Sequence, residues 1–132
     1  MAVSLTPTPE DEAAVTRFIR AVQGFQKPRL ADFDMRVGIG STRLLVKVRQ
    51  GSVESISDMA AMRPLTPWDF SLTADAESWH RHWEVAPPAG WHDVFALMRY
   101  GRMQIDGDLH PFMAHLQFVK DLLAAPRSEV HA

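Results

Sequence analysis

Six histidines are the side chains of this sequence best suited to chemistry, and His80, His82, His92, His110 and His115 all fall between Ala76 and Leu123. Imidazole titrates near neutrality and ligates metals, so such a group suits acid–base work or zinc binding. The spacing argues against a shared ion. His80 and His82 are two positions apart, which on a helix turns their rings about 200° from one another. His110 and His115 are five apart and also diverge. One acid–base constellation remains, a small enzyme in which His92 and His115 act with Asp93. His115 differs from the others because it falls between Phe112 and Val119 on an apolar helix face. It is therefore expected to be partly buried and hydrogen-bonded, to the core or to a ligand's polar end. The remaining histidines are expected on wet helix faces.

Stronger signatures of catalysis are missing. Zero cysteine removes disulfides, thiolate zinc sites and thiol nucleophiles together. There is no G-x-S-x-G elbow, Walker loop or H-E-x-x-H. Gly38-x-Gly40 sits in a hairpin, with Arg43 where a third glycine is needed and no helix to hold a phosphate. The sequence is thus read as non-catalytic, with no metal ligand and no cofactor. The chain has 132 residues, 46% of them hydrophobic, and 14 basic against 16 acidic groups give a net charge of -2. That size suits one domain with one core, and the charge does not suit nucleic acid. No apolar run is long enough to span a membrane, and Met1 to Asp11 lacks the basic and apolar regions of a signal peptide, so a cytoplasmic location without stable membrane insertion is expected.

The elements that must position these groups follow from periodicity. Thr8-Pro9-Glu10-Asp11 predicts a helix start, and Val15, Phe18, Ile19 and Val22 form its apolar stripe up to about Gly24. From Asp32 the period becomes two. Phe33, Met35, Val37 and Ile39 alternate with polar residues, then Leu44, Val46 and Val48 follow a turn at Gly40-Ser41, and Val53 to Ser57 completes a meander after Gln50-Gly51. Residues 58–67 read as a loop with room for one helical turn. Trp68, Phe70 and Leu72 predict a fourth strand. Asp75 caps a helix over Ala76 to Glu84, Ala89 to Tyr100 forms another, and Arg102 to Asp106 is a short strand. Asp108 caps a final helix that Pro126 ends. A single domain over residues 1–132 is expected, its core about 8–125 and 126–132 a loose tail. Trp79 and Trp83 share one helix face, where core packing is the plain expectation and a partner or ligand wall the alternative.

The segment Gly101-Arg102-Met103-Gln104-Ile105-Asp106-Gly107-Asp108, with a glycine, a short alternating strand and a Gly-Asp pair before the last helix, resembles the sterol carrier protein type two domain. The meander ending at Gln50-Gly51 and the strand and acid-capped helix from Trp68 to Trp83 are similar to that family as well, so the likeness spans about Glu10 to Leu123. It implies an α+β fold, a single five-stranded, mostly antiparallel sheet covered on one face by helices, with an apolar tunnel between the layers. It also implies binding, and transfer, of a fatty acyl chain, sterol or related lipid without chemistry. The lack of a peroxisomal targeting tripeptide after Arg127 fits a bacterial, cytoplasmic member. Inward phase supplies the candidate lining: Leu44, Val46, Phe70 and Leu72 on strands, Phe95 and Met98 on the fourth-strand side, and Phe112, His115, Leu116 and Val119 on the last helix, with His115 or Arg99 near a polar head. The same residues would serve a solid core, and the alternative role is an accessory domain that forms a homodimer or binds a partner enzyme.

Overall fold

The computed structural model describes residues 8–129. Most of the stretch read for a signal peptide, His131 and the end of the expected tail lie outside them. Helix α1 (Pro9–Val22) starts where the sequence placed it. Thr8 Oγ1 accepts from the Asp11 N–H at 3.1 Å, and the Asp11 carboxylate accepts from the Thr8 N–H at 3.4 Å, so each end of the first turn satisfies the other. Asp11 is buried, and its carboxylate also accepts from Ser41, which ties the helix start to the first hairpin turn. Gly40 in that turn has φ +60, and a Cβ there would run into the Asp11 carboxylate. The helix buries Ala14, Phe18 and Val22, whereas Val15 and Ile19 are only half-buried.

Strands β1 (Phe33–Ile39), β2 (Thr42–Arg49), β3 (Ser52–Asp58), β4 (Phe70–Ala74) and β5 (Met103–Gly107) form one sheet in the order β3-β2-β1-β4-β5. The β1–β4 pair is parallel and the other three are antiparallel. An inward row runs Ile56, Val46, Met35, Phe70 across four strands, and the next runs Leu44, Val37, Leu72, Ile105. Between them the outward row is Ser57, Leu45, Arg36, Ser71 and Asp106. Leu45 is buried even though it belongs to the polar face, because the 3-10 turn Met59–Ala61 lies against β2 there. Trp68 places its ring 4.3 Å from the Arg36 guanidinium on the same face. Beyond the 3-10 turn, the Thr66 hydroxyl donates to the Arg63 carbonyl at 2.6 Å, closing a turn that holds Leu65 at φ +66. Pro64 before it suits such a turn.

The helical part departs from expectation in three places. After α2 (Ala76–His82), capped by Asp75, helix α3 (Val94–Arg99) begins at Val94 rather than Ala89. Pro87-Pro88 and Gly90 at φ +88 hold the intervening chain in turns, and Asp93 is the cap. The last helix is two, α4 (Leu109–Ala114) and α5 (Leu116–Leu123), broken at His115 with φ -116. The break lets Phe112 pack on Phe70 while Phe118 packs on Phe33 and Phe25. Pro126, expected to precede a loose tail, instead opens the short helix α6 (Pro126–Glu129), a position that suits a residue without an N–H.

Trp79 and Trp83 settle as core. Both are fully buried, their rings stack at 5.6 Å, and Phe18 lies 6.2 Å from Trp83. Trp79 Nε1 donates to the Gly38 carbonyl on β1 at 2.9 Å, and Trp83 Nε1 donates to the Leu123 carbonyl on α5 at 2.8 Å. Trp83→Phe strands that buried carbonyl and leaves a void where half of the indole was, so chemical denaturation is expected to show a loss of more than about 1–3 kcal/mol at unchanged m-value.

Candidate functional site

Aromatic rings run from the surface into the layer between sheet and helices. Phe95 on α3 is 40% exposed and lies 6.0 Å from Phe112 on α4. Phe112 lies 5.5 Å from Phe70 on β4, and Phe70 5.3 Å from Phe33 on β1. Phe118 on α5 closes on Phe33 at 5.8 Å and Phe25 on Phe118 at 5.4 Å. Of the six residues in α4 only Phe112 is buried; Leu109 and Met113, four apart on its outward face, are 50% and 54% exposed.

The ten candidate residues are brought into one cluster at graded depth. Leu44, Val46, Phe70, Leu72, Phe112 and Val119 are buried in it, and Met98 and Leu116 are half-buried against it. Phe95 joins at the rim through Phe112. His115 is half-buried, its ring stacked on Phe33 at 5.6 Å. It makes no side-chain hydrogen bond among the described residues, because its partial exposure leaves its nitrogens to water. Arg99 is exposed at the end of α3.

The acid–base constellation is not assembled. His92 is exposed, and no contact joins His115 to His92 or Asp93 among the described residues. Asp93 is occupied otherwise: it accepts from the Phe95 N–H at 3.0 Å and pairs with Lys120 at 3.2 Å. Burial pushes its pKa up, but the Phe95 N–H and Lys120 outweigh it and hold the carboxylate below its ordinary value. Among the described residues no group of three or more His, Asp or Glu side chains is placed to hold a metal.

His82 was expected on a wet face and is instead 2% exposed, with Nδ1 2.8 Å from the Trp91 carbonyl. The signal was in the phase, since His82 is three residues after Trp79 and so shares its buried side. His80 is half-buried, and its Nδ1 accepts from Arg17 at 3.2 Å. Hollows open on the surface of the described residues, two of them beside these histidines. A groove of about 620 Å³ between α1 and α2 is lined by Glu10, Glu77, His80 and Glu84, and one of about 510 Å³ beside β5 is lined by Met98, Arg102 and Ile105. A smaller, more enclosed hollow of about 170 Å³ is lined by His82, Asp93, Lys120 and Arg127 among others.

Burial lowers the pKa of both His80 and His82, helped at His80 by the Arg17 charge and opposed at His82 by the Trp91 hydrogen bond. A depressed native value means the unfolded chain binds the proton first. Stability from these groups is complete above the ordinary value of 6.5 and is lost as pH falls through it toward the native values. Denaturation measured at about pH 7.5 and about pH 5 should show the loss, and a His82→Gln variant should show a smaller difference.

No known family's sequence profile matches this chain, and no curated protein matches it. Two solved structures are similar to it. One is the solution structure of a conserved hypothetical protein, a candidate sterol carrier protein, from Thermus thermophilus, with 10% identity, 88% of this chain and 79% of that chain covered, and a TM-score of 0.47. The other is the crystal structure of a sterol carrier protein 2 like 2 from Aedes aegypti, with 16% identity, 81% and 93% covered, and a TM-score of 0.48.

Proposed function

We propose that this chain binds an apolar small molecule, such as a fatty acyl chain, a sterol or a related lipid, between its sheet and its helices. The observation that supports this reading is the ring path from exposed Phe95 through Phe112 to Phe70 and Phe33, roofed by a helix that buries a single side chain. Lifting α4 gives up the burial of Phe112, about 1.5–3 kcal/mol. A ligand that buries about 400 Å² of apolar surface returns about 10 kcal/mol before the cost of association, at roughly 25 cal/mol per Å². Entry by displacement of α4 is therefore favourable for a ligand of acyl-chain size and unfavourable for a small polar one. The lining consists of Leu44, Val46, Phe70, Leu72, Met98, Leu116 and Val119, with Phe95 and Phe112 as the gate. In this reading His115, half-buried beside Phe33, meets the ligand's polar head. Catalysis has no part in this reading, and release is the reverse of entry, which suits a carrier.

Native mass spectrometry of the purified protein, with organic extraction of what it retains, tests the proposal. A retained acyl or sterol-like mass supports it. An empty protein that also fails to take up a fluorescent fatty acid overturns it and leaves the Phe95, Leu109 and Met113 rim as a face for a partner or a second copy. In a Phe112→Ala variant the ligand-free protein should lose about 3–5 kcal/mol. Added fatty acid should restore its Tm by more than it raises that of the parent, with a negative heat-capacity change of binding.

A further inference from the structure

Strand β5 is a margin of the sheet, and the register shows which of its backbone groups lie on the outer edge. The Ala74 carbonyl accepts from the Gly40 N–H at 3.0 Å, so the backbone of Ala74, and by alternation that of Leu72, faces β1. Ser71 and Thr73 then face β5, where their register partners are Asp106 and Gln104. The Asp108 N–H, which donates to the Asp69 carbonyl at 2.7 Å, continues the same phase. Met103 and Ile105 therefore turn their N–H and carbonyl groups outward, and no backbone group bonds to them there among the described residues. The opposite margin is guarded by an irregular register at Lys47/Val48 and by Glu54 and Asp58, whereas β5 has no bulge, no proline and no lysine. The open hollow of about 510 Å³ runs along it, lined by Met103, Gln104 and Ile105 among others.

We propose that this edge pairs with the same edge of a second copy of the chain, joining two sheets into one. The order Arg102-Met103-Gln104-Ile105-Asp106 is its own complement. Laid antiparallel on itself about Gln104, it sets Met103 against Ile105 and Arg102 against Asp106, each twice, as a two-fold axis requires. Met103 and Ile105 are also the residues whose backbone groups face out, so the register that matches the side chains supplies about four backbone hydrogen bonds. Registers displaced by two residues lose the match. One sets Arg102 against Gln104 and Ile105 against Gly101, and the other sets Met103 against Gly107, whose φ of +98 leaves the extended region. The charges are available to the partner. Arg102 lies on the Trp91 ring at 3.8 Å and gives Nη1 to the Gly90 carbonyl at 3.3 Å, and no carboxylate pairs with it among the described residues. The Asp106 carboxylate accepts from the Gln104 amide beside it at 3.1 Å and forms no ion pair among the described residues.

Sedimentation velocity of the full chain from about 5 to about 500 µM is expected to show a monomer converting to a dimer, less so at high salt. Amide exchange locates the contact. As the concentration rises, the Met103 and Ile105 amides are expected to slow by about tenfold or more, whereas those of Gln104 and Asp106, bonded to β4, are slow throughout. Ile105→Pro removes an N–H that the chain's own sheet does not use and should weaken association at least about tenfold. Charge reversal gives a second reading where that variant unfolds: Arg102→Asp and Asp106→Arg should each weaken the dimer, and the two together should restore it. A chain that stays monomeric to about 500 µM overturns the proposal. A dimer whose Met103 and Ile105 amides remain fast, or one that the single charge reversals leave intact, also overturns it.

Discussion

Two indole rings, Trp79 in the seven-residue helix α2 and Trp83 at its C-cap, hold this molecule together. A helix as short as α2 has almost no stability alone, yet Trp79 anchors it to β1 through Gly38 and Trp83 anchors it to α5 through Leu123. Each ring buries about 150–250 Å², worth roughly 4–6 kcal/mol before entropy costs. Arg17 on α1 lies 5.3 Å over the Trp83 ring and donates to the carbonyls of Trp83 and Pro126 at 3.0 and 3.4 Å. The sheet, α1, α5 and α6 therefore all take their positions from α2. Placement of Arg127 on α6, and with it the polar hollow, follows from the same indoles.

The sheet was legible because one of its faces is wet. Alternation from Phe33 to Ile39 and, Leu45 apart, from Leu44 to Val48 showed which side chains point inward, and Gly40 and Gly51 marked the turns. The caps at Thr8, Asp75 and Asp108 were readable for the same local reason. The break at His115 was not, since Phe112, Leu116, Val119 and Leu123 continue one helical stripe straight through it. Only the need to send Phe112 to Phe70 and Phe118 to Phe33 bends the chain there. Trp91 misled in a similar way. It fits a helical period, but its carbonyl serves His82 and its ring lies 3.8 Å from Arg102 and 5.4 Å from Arg81, contacts no local pattern encodes. Inward phase could group the ten candidate lining residues but not grade their depth, so the exposure of Phe95 came from the late start of α3. The polar hollow was invisible because its walls come from α2, the segment 92–94, α5 and α6, which meet only in the folded state.

Lys120 stands where the two regions meet. Its ammonium lies 5.7 Å over the exposed Phe95 ring and pairs with Asp93 at the rim of the hollow. If Phe95 on α3 turns aside when a ligand enters, that cation loses one neighbour, so the proposed apolar gate and the polar wall share a side chain.

The parallel join at the centre of the sheet has a cost in time. Met35 of β1 meets Phe70 of β4, thirty-five positions further along the chain. On a ribosome adding about 5–20 residues per second, β1 waits about two to seven seconds for its partner. During that interval a finished hairpin shows a bare strand edge lined with Met35, Val37 and Ile39, a template for a neighbouring nascent chain. Once β4 arrives, that edge becomes the middle of the sheet. The margin left beside the meander is β3, where Ser52, Glu54, Ser55, Ser57 and Asp58 make a poor template for strand addition. The chain is thus most prone to mispairing while half made and best guarded when complete.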